Sequence, residues 1–227
     1  MKIVKALTRD IINSVTVQEN DQAMVYLPNI SGLFFYDELS DENKYCREEV
    51  ADKIKAAQKL LPAGIYFKIY FAYRSVEQQI NFFNKRFAEI KKEYPDLPLA
   101  EQERLTRLKA ADARGGGYGP HQTGGALDLT LCDANSVEID MGGRYDLFDH
   151  LTRTYPYRKI LFLRIPMLTG RQYKNRNILW NALTSVGFQN YPLEWWHWAY
   201  GDRAWAAYSK NKTAIYSAVN KNTKFIK

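Results

Sequence analysis

The chain has 227 residues, of which 46% are hydrophobic and 25% are charged, and these proportions exclude a disordered or fibrous protein. Lysine and arginine outnumber aspartate and glutamate by 32 to 25. The resulting net charge of +7 would suit an acidic small molecule, an anionic membrane or nucleic acid, but the basic residues are spread along the chain and no nucleic-acid-binding motif accompanies them.

The cysteines and the first residues bear on where the protein resides. Cys46 and Cys132 are the only cysteines, and they lack the close pairing of a thiolate zinc site and the density of a secreted disulfide scaffold. Residues 1–7 are interrupted by lysines and do not form the run of about 7–15 apolar residues that a secretion signal needs. No segment approaches the roughly 20 apolar residues that cross a bilayer. We therefore expect a cytoplasmic protein with two free thiols and no membrane partner.

The first half of the chain predicts a helix followed by a strand. Ser40 can cap the helix and Pro62 ends it. One face of this helix carries an apolar stripe of Val50, Ile54, Ala57 and Leu61. From Ile65 to Phe71, apolar residues alternate with others at the period of a strand, which delivers Arg74 to its carboxyl end.

A second helix and a loop follow that strand. Ser75 and Gln78 form a capping box at the start of this helix. The charged stretch from Glu101 to Arg114 is predicted to begin as a helix. It gives way to the glycine-rich stretch from Gly115 to Pro120, which we expect to be a loop.

A strand leaves this loop. From Ala126 to Leu131 the leucines alternate with Asp128 and Thr130, so Asp128 is expected on the face opposite the leucines. Three later elements are predicted: a strand over 160–165, a helix that ends at Gly187 and a last strand over 194–198. Helices and strands that mix without a βαβ rhythm indicate an α+β fold. Because no repeat or linker divides the chain, we predict a single domain over residues 1–227.

One candidate pair for metal binding lies directly after the glycine-rich loop. His121 is seven residues before Asp128, and imidazole and carboxylate are good zinc ligands. On one straight strand an offset of seven would point the two side chains to opposite faces. Gly124 and Gly125 allow a turn between them, which removes this objection.

A second candidate pair lies among tryptophans. Glu194 and His197 are three residues apart and are flanked by Trp195, Trp196 and Trp198. An apolar pocket raises the pKa of a carboxyl towards neutrality, which suits it to move a proton. The offset of three requires a bulge, bend or turn if both side chains are to face one metal. Arg74 could add a guanidinium that stabilises an oxyanion.

In order and spacing these residues resemble the D-alanyl-D-alanine dipeptidases. The resemblance runs from about Phe67 to Gly201, and it is strongest in two blocks. These blocks are His121-Gln-Thr-Gly-Gly-Ala-Leu-Asp128-Leu-Thr-Leu and Glu194-Trp-Trp-His197. The resemblance also includes two shorter segments, Ala72-Tyr73-Arg74 and Asp140-Met141-Gly142.

The resemblance implies an α+β zinc peptidase with an antiparallel central sheet flanked by helices, related in fold to D,D-carboxypeptidases and to the amino-terminal domain of hedgehog proteins. It also implies a role for each matching residue. His121, Asp128 and His197 match the ligands of one zinc ion, Glu194 matches the general base, and Arg74 matches the arginine that stabilises the transition state. The implied substrate is the small peptide D-Ala-D-Ala, and the oligomeric state is left open.

Two positions depart from the family pattern. The dipeptidases often carry an acidic residue three before the arginine and a serine just before the first ligand, where this chain has Phe71 and Gly119-Pro120. Groups that hold the ammonium of the substrate must then come from elsewhere, and Asp140 and Asp146 are candidates.

Other interpretations stay open at this point. Taken singly, each site residue has an ordinary explanation, such as a surface ion pair between Arg74 and Glu77. A D,D-carboxypeptidase that trims cell-wall peptides is a second enzyme hypothesis. A zinc-stabilised binding module without catalysis is a third, which the presence of Glu194 disfavours. The role of the basic segment over 155–176 is not predicted.

Overall fold

The structure is a computed structural model that describes residues 4–114, 118–147, 149–160 and 163–227. The helices in these ranges are α1 Arg9–Asn13, α2 Glu48–Gln58, α3 Val76–Glu93, α4 Leu99–Lys109, α5 Gly170–Ser185 and α6 Arg203–Ser209. The strands are β1 Thr16–Val17, β2 Met24–Tyr26, β3 Leu33–Phe35, β4 Tyr45–Arg47, β5 Tyr66–Phe71, β6 Ala126–Cys132, β7 Tyr157–Ile160, β8 Leu163–Pro166, β9 Gln189–Asn190, β10 His197–Ala199, β11 Thr213–Ala214 and β12 Phe225–Ile226.

A five-stranded sheet forms the centre of the molecule, in the order β3-β5-β6-β10-β9. Its neighbours are antiparallel except for β3 and β5, which are parallel. This confirms the predicted α+β class and the mainly antiparallel central sheet. All seven residues of β6 are buried, because it is the middle strand of the sheet.

The two faces of β6 serve different purposes. Leu127, Leu129 and Leu131 are fully buried in the hydrophobic core, which also contains buried residues of α2 and α5 such as Ile54 and Leu183. Each such side chain contributes about 1.5–3 kcal/mol when it leaves water. The alternation of side chains along a strand therefore turns Asp128 towards the other face, as predicted.

Smaller sheets bring the two ends of the chain onto this body. Strand β12 pairs with β2 in a three-stranded sheet that also contains β4, and β11 pairs with β1. None of the helices in the described ranges is long and apolar enough to cross a bilayer.

The helix predicted after Ser40 begins later than expected. Residues Asp41–Lys44 form a 3-10 turn and Tyr45–Arg47 form β4, so the helix starts at Glu48. The cause is tertiary, because β4 pairs with β2, a partner about 20 residues earlier that local patterns do not reveal. The stripe itself is correct in Val50, Ile54 and Ala57, which are buried.

Two other predicted elements differ in extent. The strand predicted over 160–165 is instead split between β7 and β8, which pair antiparallel, and residues 161–162 lie outside the described residues. Of the strand predicted over 194–198, only His197 and Trp198 belong to a strand, which is β10, and the residues before them form a turn. Of the predicted glycine-rich loop, Gly115–Gly117 lie outside the described residues.

The predicted capping box and the predicted end of the helix before Gly187 are both present in the structure. The Ser75 hydroxyl accepts a hydrogen bond from the backbone N–H of Gln78, and the side-chain oxygen of Gln78 accepts one from the backbone N–H of Ser75, so that this box starts α3. Helix α5 stops before Gly187, whose φ of +95° suits glycine.

Candidate metal centre and active-site cavity

Register in the central sheet brings the second histidine to the aspartate. His197 on β10 is the direct partner of Asp128 on β6, so their side chains lie side by side on one face of the sheet. The predicted turn between Glu194 and His197 is present, since the backbone N–H of His197 donates to the carbonyl of Glu194 at 3.2 Å. This turn allows both side chains to reach the same cavity.

A tight turn brings His121 to the same place. Residues Pro120–Thr123 form a 3-10 turn that ends at Gly124, whose φ of +72° is a left-handed conformation that favours glycine. Gly125 follows at a point where a Cβ would collide with the carbonyl oxygen of Tyr200. The two glycines therefore have the role that the sequence predicts for them.

The three candidate ligands converge. One donor atom from each of His121, Asp128 and His197 can be chosen so that all lie within 4.8 Å of one another. The Asp128 carboxylate has Oδ1 2.9 Å from Nδ1 of His197 and Oδ2 3.3 Å from Nε2 of His121. All three side chains are buried.

The electrostatics of the group favour a negative carboxylate beside the two rings. Burial alone would raise the pKa of Asp128, but His121 and His197 outweigh burial and hold that pKa well below its usual range. Burial lowers the pKa of His121, against the opposing effect of Asp128. Burial would also lower the pKa of His197, but its hydrogen bond to Asp128 raises it.

The donor set fits a zinc ion. Two imidazoles and one carboxylate are a common set of three protein ligands in catalytic zinc sites, which leave a further position open. Nδ1 of His121 lies 2.6 Å from the carbonyl oxygen of Ala72, so Nδ1–H donates to this carbonyl, and Nε2, on the side of Asp128, is the nitrogen that can bind a metal. Such an outer hydrogen bond is the usual support of a histidine that binds a metal.

Glu194 lines the same cavity as the three candidate ligands. Burial raises its pKa from 4.5 to about 7, against the opposing effect of His197. The turn that carries it is held by Asn190, whose side-chain amide donates to the carbonyls of Glu194 at 3.1 Å and of His197 at 2.9 Å. A carboxyl that titrates near neutrality can both accept and return a proton.

Arg74 is fixed at the wall of this cavity. Its guanidinium lies 4.1 Å from the ring centre of Phe71 and 4.5 Å from that of Phe82, and Nη1 donates to Gln79 at 3.0 Å. It is 9% exposed, and its hydrogen-bond partner is Gln79 rather than Glu77. Phe71, one of the positions that depart from the family pattern, thus orients the arginine.

Of the two candidate partners for a substrate ammonium, the cavity contains one. Asp146 lines the cavity with Glu194 and forms an ion pair with Arg86. Burial raises the pKa of Asp146, and Arg86 opposes this effect. Asp140 instead accepts hydrogen bonds from Gln172 and from the backbone of Gly142 in a separate hollow.

Several side chains of the site were not predicted. Tyr145 stacks on Tyr70 with ring centres 4.2 Å apart, and its hydroxyl donates to Asp128 Oδ2 at 3.4 Å. Asn190 holds the turn that carries Glu194, and Gln79 accepts a hydrogen bond from Arg74, but neither residue is part of a sequence motif. A tyrosine, an asparagine and a glutamine carry no sequence signal of this kind, so only the fold identifies them.

The segment over 155–176, unexplained from the sequence, contributes one structural anchor. Arg176 is 2% exposed and donates to the backbone carbonyls of Met141, Leu151, Arg153 and Thr154. Arg176 therefore fastens the chain on either side of Tyr145 and Asp146 to α5. Burial lowers the pKa of Arg176 to about 9.

The cavity over the candidate ligands has a volume of about 560 Å³. Its walls come from the central sheet, from α1, α3, α4 and α6, and from the loops that carry Tyr145 and Tyr191. Volumes of about 300–1,000 Å³ are typical of sites that enclose a small organic ligand.

Comparison with known proteins gives a match over most of the chain. Residues 38–216 match a family model described as D-ala-D-ala dipeptidase. A D-alanyl-D-alanine dipeptidase of Synechocystis sp. is 36% identical over 94 residues, which cover 38% of this chain and 36% of that protein, so the chain spans about a third of that relative. A D-alanyl-D-alanine dipeptidase of Enterococcus faecium is 24% identical over 160 residues, 68% of this chain and 72% of that protein.

Two solved structures are also similar. The structure of VanYB in complex with D-alanine-D-alanine is 16% identical, with a TM-score of 0.45 over 78% of this chain and 84% of that one. The LdcB LD-carboxypeptidase is 19% identical, with a TM-score of 0.46 over 99% of this chain and 95% of that one.

Proposed function

The chain belongs to the D-ala-D-ala dipeptidase family, and from that premise we propose that it is a zinc-dependent peptidase that hydrolyses D-Ala-D-Ala. The observation that carries the proposal is the convergence of His121, Asp128 and His197 to within 4.8 Å, with Glu194 in the same cavity. Two imidazoles and a carboxylate beside a carboxyl base are the parts that metal-assisted hydrolysis of a peptide bond needs.

His121, Asp128 and His197 would hold the metal ion. When bound, zinc polarises the scissile carbonyl and lowers the pKa of a water molecule from about 15.7 towards roughly 7. Tyr145 supports this arrangement, because its hydroxyl donates to Asp128 and restrains the carboxylate.

Glu194 moves the proton. Its carboxylate takes a proton from the water whose oxygen bonds to the peptide carbon, and it later gives this proton to the leaving nitrogen as the carbon–nitrogen bond breaks. Burial raises the pKa of Glu194 to about 7 in the metal-free protein, and a buried carboxyl of this kind suits a group that both accepts and returns a proton.

Two further side chains act on the charges of the substrate. Arg74 stabilises the negative charge that develops on the carbonyl oxygen, and its contacts with the rings of Phe71 and Phe82 limit the reorganisation that this requires. Asp146 lines the same cavity and offers a carboxylate to the substrate ammonium. The products of the reaction are two molecules of D-alanine.

The test is hydrolysis of D-Ala-D-Ala and of L-Ala-L-Ala by the zinc-loaded protein, with released alanine as the readout. We expect turnover of the D,D-dipeptide and a loss of about three orders of magnitude or more in Glu194→Gln, which should keep its zinc. His197→Ala should lose zinc as well as activity. Glu101→Gln, on the exposed side of α4, is the matched control. Full activity of Glu194→Gln would refute the assignment of the base.

The size of the cavity favours a second candidate, a D,D-carboxypeptidase, because about 560 Å³ admits a peptide longer than two residues. A pentapeptide that ends in D-Ala-D-Ala separates the two. A dipeptidase cleaves the free dipeptide faster, whereas a D,D-carboxypeptidase cleaves the pentapeptide faster.

A further inference from the structure

The cavity has a region that the proposed reaction does not use. We call it the distal lobe, the part walled by α1, the end of α4 and α6, with Leu7, Arg9, Ile12, Lys109, Arg203 and Tyr208 as its lining. Helix α1 precedes residues 38–216, which match the family. The distal lobe therefore includes a wall that the family match does not account for.

The wall formed by α1 is fastened to the rest of the molecule. The backbone N–H of Leu7 donates to the hydroxyl of Tyr208 on α6 at 2.9 Å. The guanidinium of Arg9 donates to the backbone carbonyls of Arg107 and Ala110 at the end of α4. Helix α1 is thus tied to both of the helices that face it across the lobe.

The distal lobe adjoins the candidate metal centre. The ring of Tyr191 lies 6.1 Å from that of His197, and both line the cavity. Tyr191 interacts electrostatically with Glu194 and also with Arg9 and Tyr208 of the distal lobe. A substrate whose scissile bond lies beside Glu194 therefore has one half directed towards these side chains.

The distal lobe has an excess of positive charge. Among the described residues, no carboxylate lies within ion-pair distance of Arg9, Lys109 or Arg203, whereas the neighbouring Arg107 is paired with Glu103 and Asp112. Arg203 packs over the ring of Tyr118 at 5.2 Å, and its buried Nε has no hydrogen-bond partner in the part of the chain that is described.

The rest of the cavity, around the candidate metal centre, holds Asp128, Asp146 and Glu194 together with the guanidinium of Arg74. Of the carboxylates that line the cavity, only Asp112 lies near the distal lobe, and it is paired with Arg107. A substrate whose ammonium lies towards Asp146 would direct its other end, and any carboxylate on it, towards the unpaired cations of the distal lobe. D-Ala-D-Ala has only methyl side chains and fills a small part of a cavity of about 560 Å³.

We propose that the distal lobe binds a second carboxylate on the leaving half of the substrate, so that D-alanyl dipeptides with an acidic carboxyl-terminal residue bind better than neutral ones. Arg9 and Arg203 are the residues that recognise this carboxylate. The proposal rests on the proposed function, since that function fixes the scissile bond beside Glu194.

The experiment measures binding, so that it does not depend on turnover. Titration calorimetry on the zinc-loaded Glu194→Ala protein compares D-Ala-D-Glu with D-Ala-D-Gln, which has the same size and no second charge. We expect about tenfold tighter binding of D-Ala-D-Glu at low salt. The ratio should fall towards one at about 1 M salt, where the screening length is about 3 Å. A ratio of one at low salt would overturn the proposal.

Variants assign the effect to the distal lobe. In the same background, Arg9→Gln and Arg203→Gln should each lower the ratio, and the double variant should bring it close to one. Arg104→Gln is the matched control, because Arg104 lies on α4, pairs with Glu101 and does not line the cavity. A ratio that survives in the double variant would overturn the assignment, and the salt dependence of the parent decides the question if a variant fails to fold.

Failure of this proposal is distinguishable from failure of the proposed function. If the parent hydrolyses D-Ala-D-Ala but the binding ratio is one, only the distal-lobe proposal fails. If the ratio is about ten and depends on Arg9 and Arg203 while no dipeptide is hydrolysed, the anion site is upheld and the proposed function fails.

Discussion

The guanidinium of Arg74 lies over two aromatic rings, those of Phe71 and Phe82, and these contacts restrict its direction. Lysine has neither the planar fork nor the shape to stack in this way. We expect Arg74→Lys to lower kcat by about two orders of magnitude with a smaller change in KM, because the lost interaction belongs to the transition state. Steady-state kinetics on the zinc-loaded enzyme measures this, and Arg104→Lys is the control. A rise in KM alone would assign Arg74 to substrate binding.

The buried carboxyl of Glu194 makes the stability of the zinc-free protein depend on pH. Its pKa is about 7 in the folded protein and near 4.5 when unfolded, so between these values the folded state holds a proton that the unfolded state has lost. The free energy of unfolding should therefore fall as the pH rises from 4.5 to 7. Glu194→Gln removes this dependence. In the parent, the free energy of unfolding should change by roughly 3 kcal/mol between pH 4.5 and pH 7 because of this carboxyl.

Urea denaturation of the zinc-free proteins at pH 5 and pH 8 checks this. The stability of Glu194→Gln relative to the parent should be greater at pH 8 than at pH 5. Glu101→Gln gives no such gain, because the bond to Arg104 lowers the pKa of Glu101 and places its titration below this window. An equal difference at the two pH values would show that the Glu194 carboxyl is not desolvated.

At the scale of single residues, the sequence identified the side chains with the most distinctive chemistry. His121, Asp128, His197, Glu194 and Arg74 all line one cavity, as their predicted roles require, although those roles stay predictions. The supporting residues were missed. Their contribution depends on contacts made across the fold and not on a local pattern, as the three carbonyl contacts of the Asn190 amide illustrate.

At the scale of elements, the turn before β6 sets the distance between the first two candidate ligands. A Cβ at Gly125 would collide with the carbonyl oxygen of Tyr200 and press on Tyr216. We expect Gly125→Ala to destabilise the protein by about 1–3 kcal/mol and to weaken zinc binding, because relief of the collision moves His121 relative to Asp128. Urea denaturation and chelator competition measure the two effects.

Gly170 provides the matched control for this change. It begins α5, and nothing lies within 4 Å of the place where its Cβ would be. Gly170→Ala should leave stability unchanged or raise it slightly and leave zinc affinity unchanged. If Gly125→Ala behaved in the same way as Gly170→Ala, the turn would have no part in the placement of His121.

Elements whose signals are local could be predicted, and elements made by distant pairing could not. The capping box of Ser75 and Gln78 lies within one helical turn, and α3 begins where it predicts. The short strand β4 exists because it pairs with β2, and it delays the helix that Ser40 was expected to cap. Likewise, the turn before β10 shortened the last predicted strand, because β10 pairs with β9 and β6 only from His197 onwards.

At the scale of the whole molecule, the candidate metal centre joins parts of the chain that are far apart in sequence. His121 follows α4, whereas His197 lies about 70 residues after Asp128 and becomes its neighbour only through sheet pairing. Spacing alone could not predict this convergence, and the family resemblance supplied it. The distal lobe was not predicted by the resemblance or by a local pattern, because α1 has only five residues and no buried side chain that would mark it in the sequence.

The same long-range construction predicts how zinc acts on the stability of the molecule. The candidate ligands come from the turn before β6, from β6 and from β10, and an unfolded chain does not hold them together. A ligand that binds only the folded state stabilises it by RT ln(1 + [L]/Kd), about 2.7 kcal/mol at a hundredfold excess over Kd. The core around Leu129 and Ile54 lies on the other face of the sheet, so the protein should stay folded without metal.

Thermal denaturation should therefore show a cooperative transition in chelator and a higher Tm with zinc. His197→Ala should keep the cooperative transition and lose most of the zinc response, because two donors remain in place of three. Magnesium should give little response, since it prefers oxygen ligands in an octahedral arrangement and this group offers two nitrogens. An equal zinc shift in the parent and in His197→Ala would place the bound metal elsewhere, whereas unfolding of the parent in chelator would make the ion part of what holds β6 and β10 together.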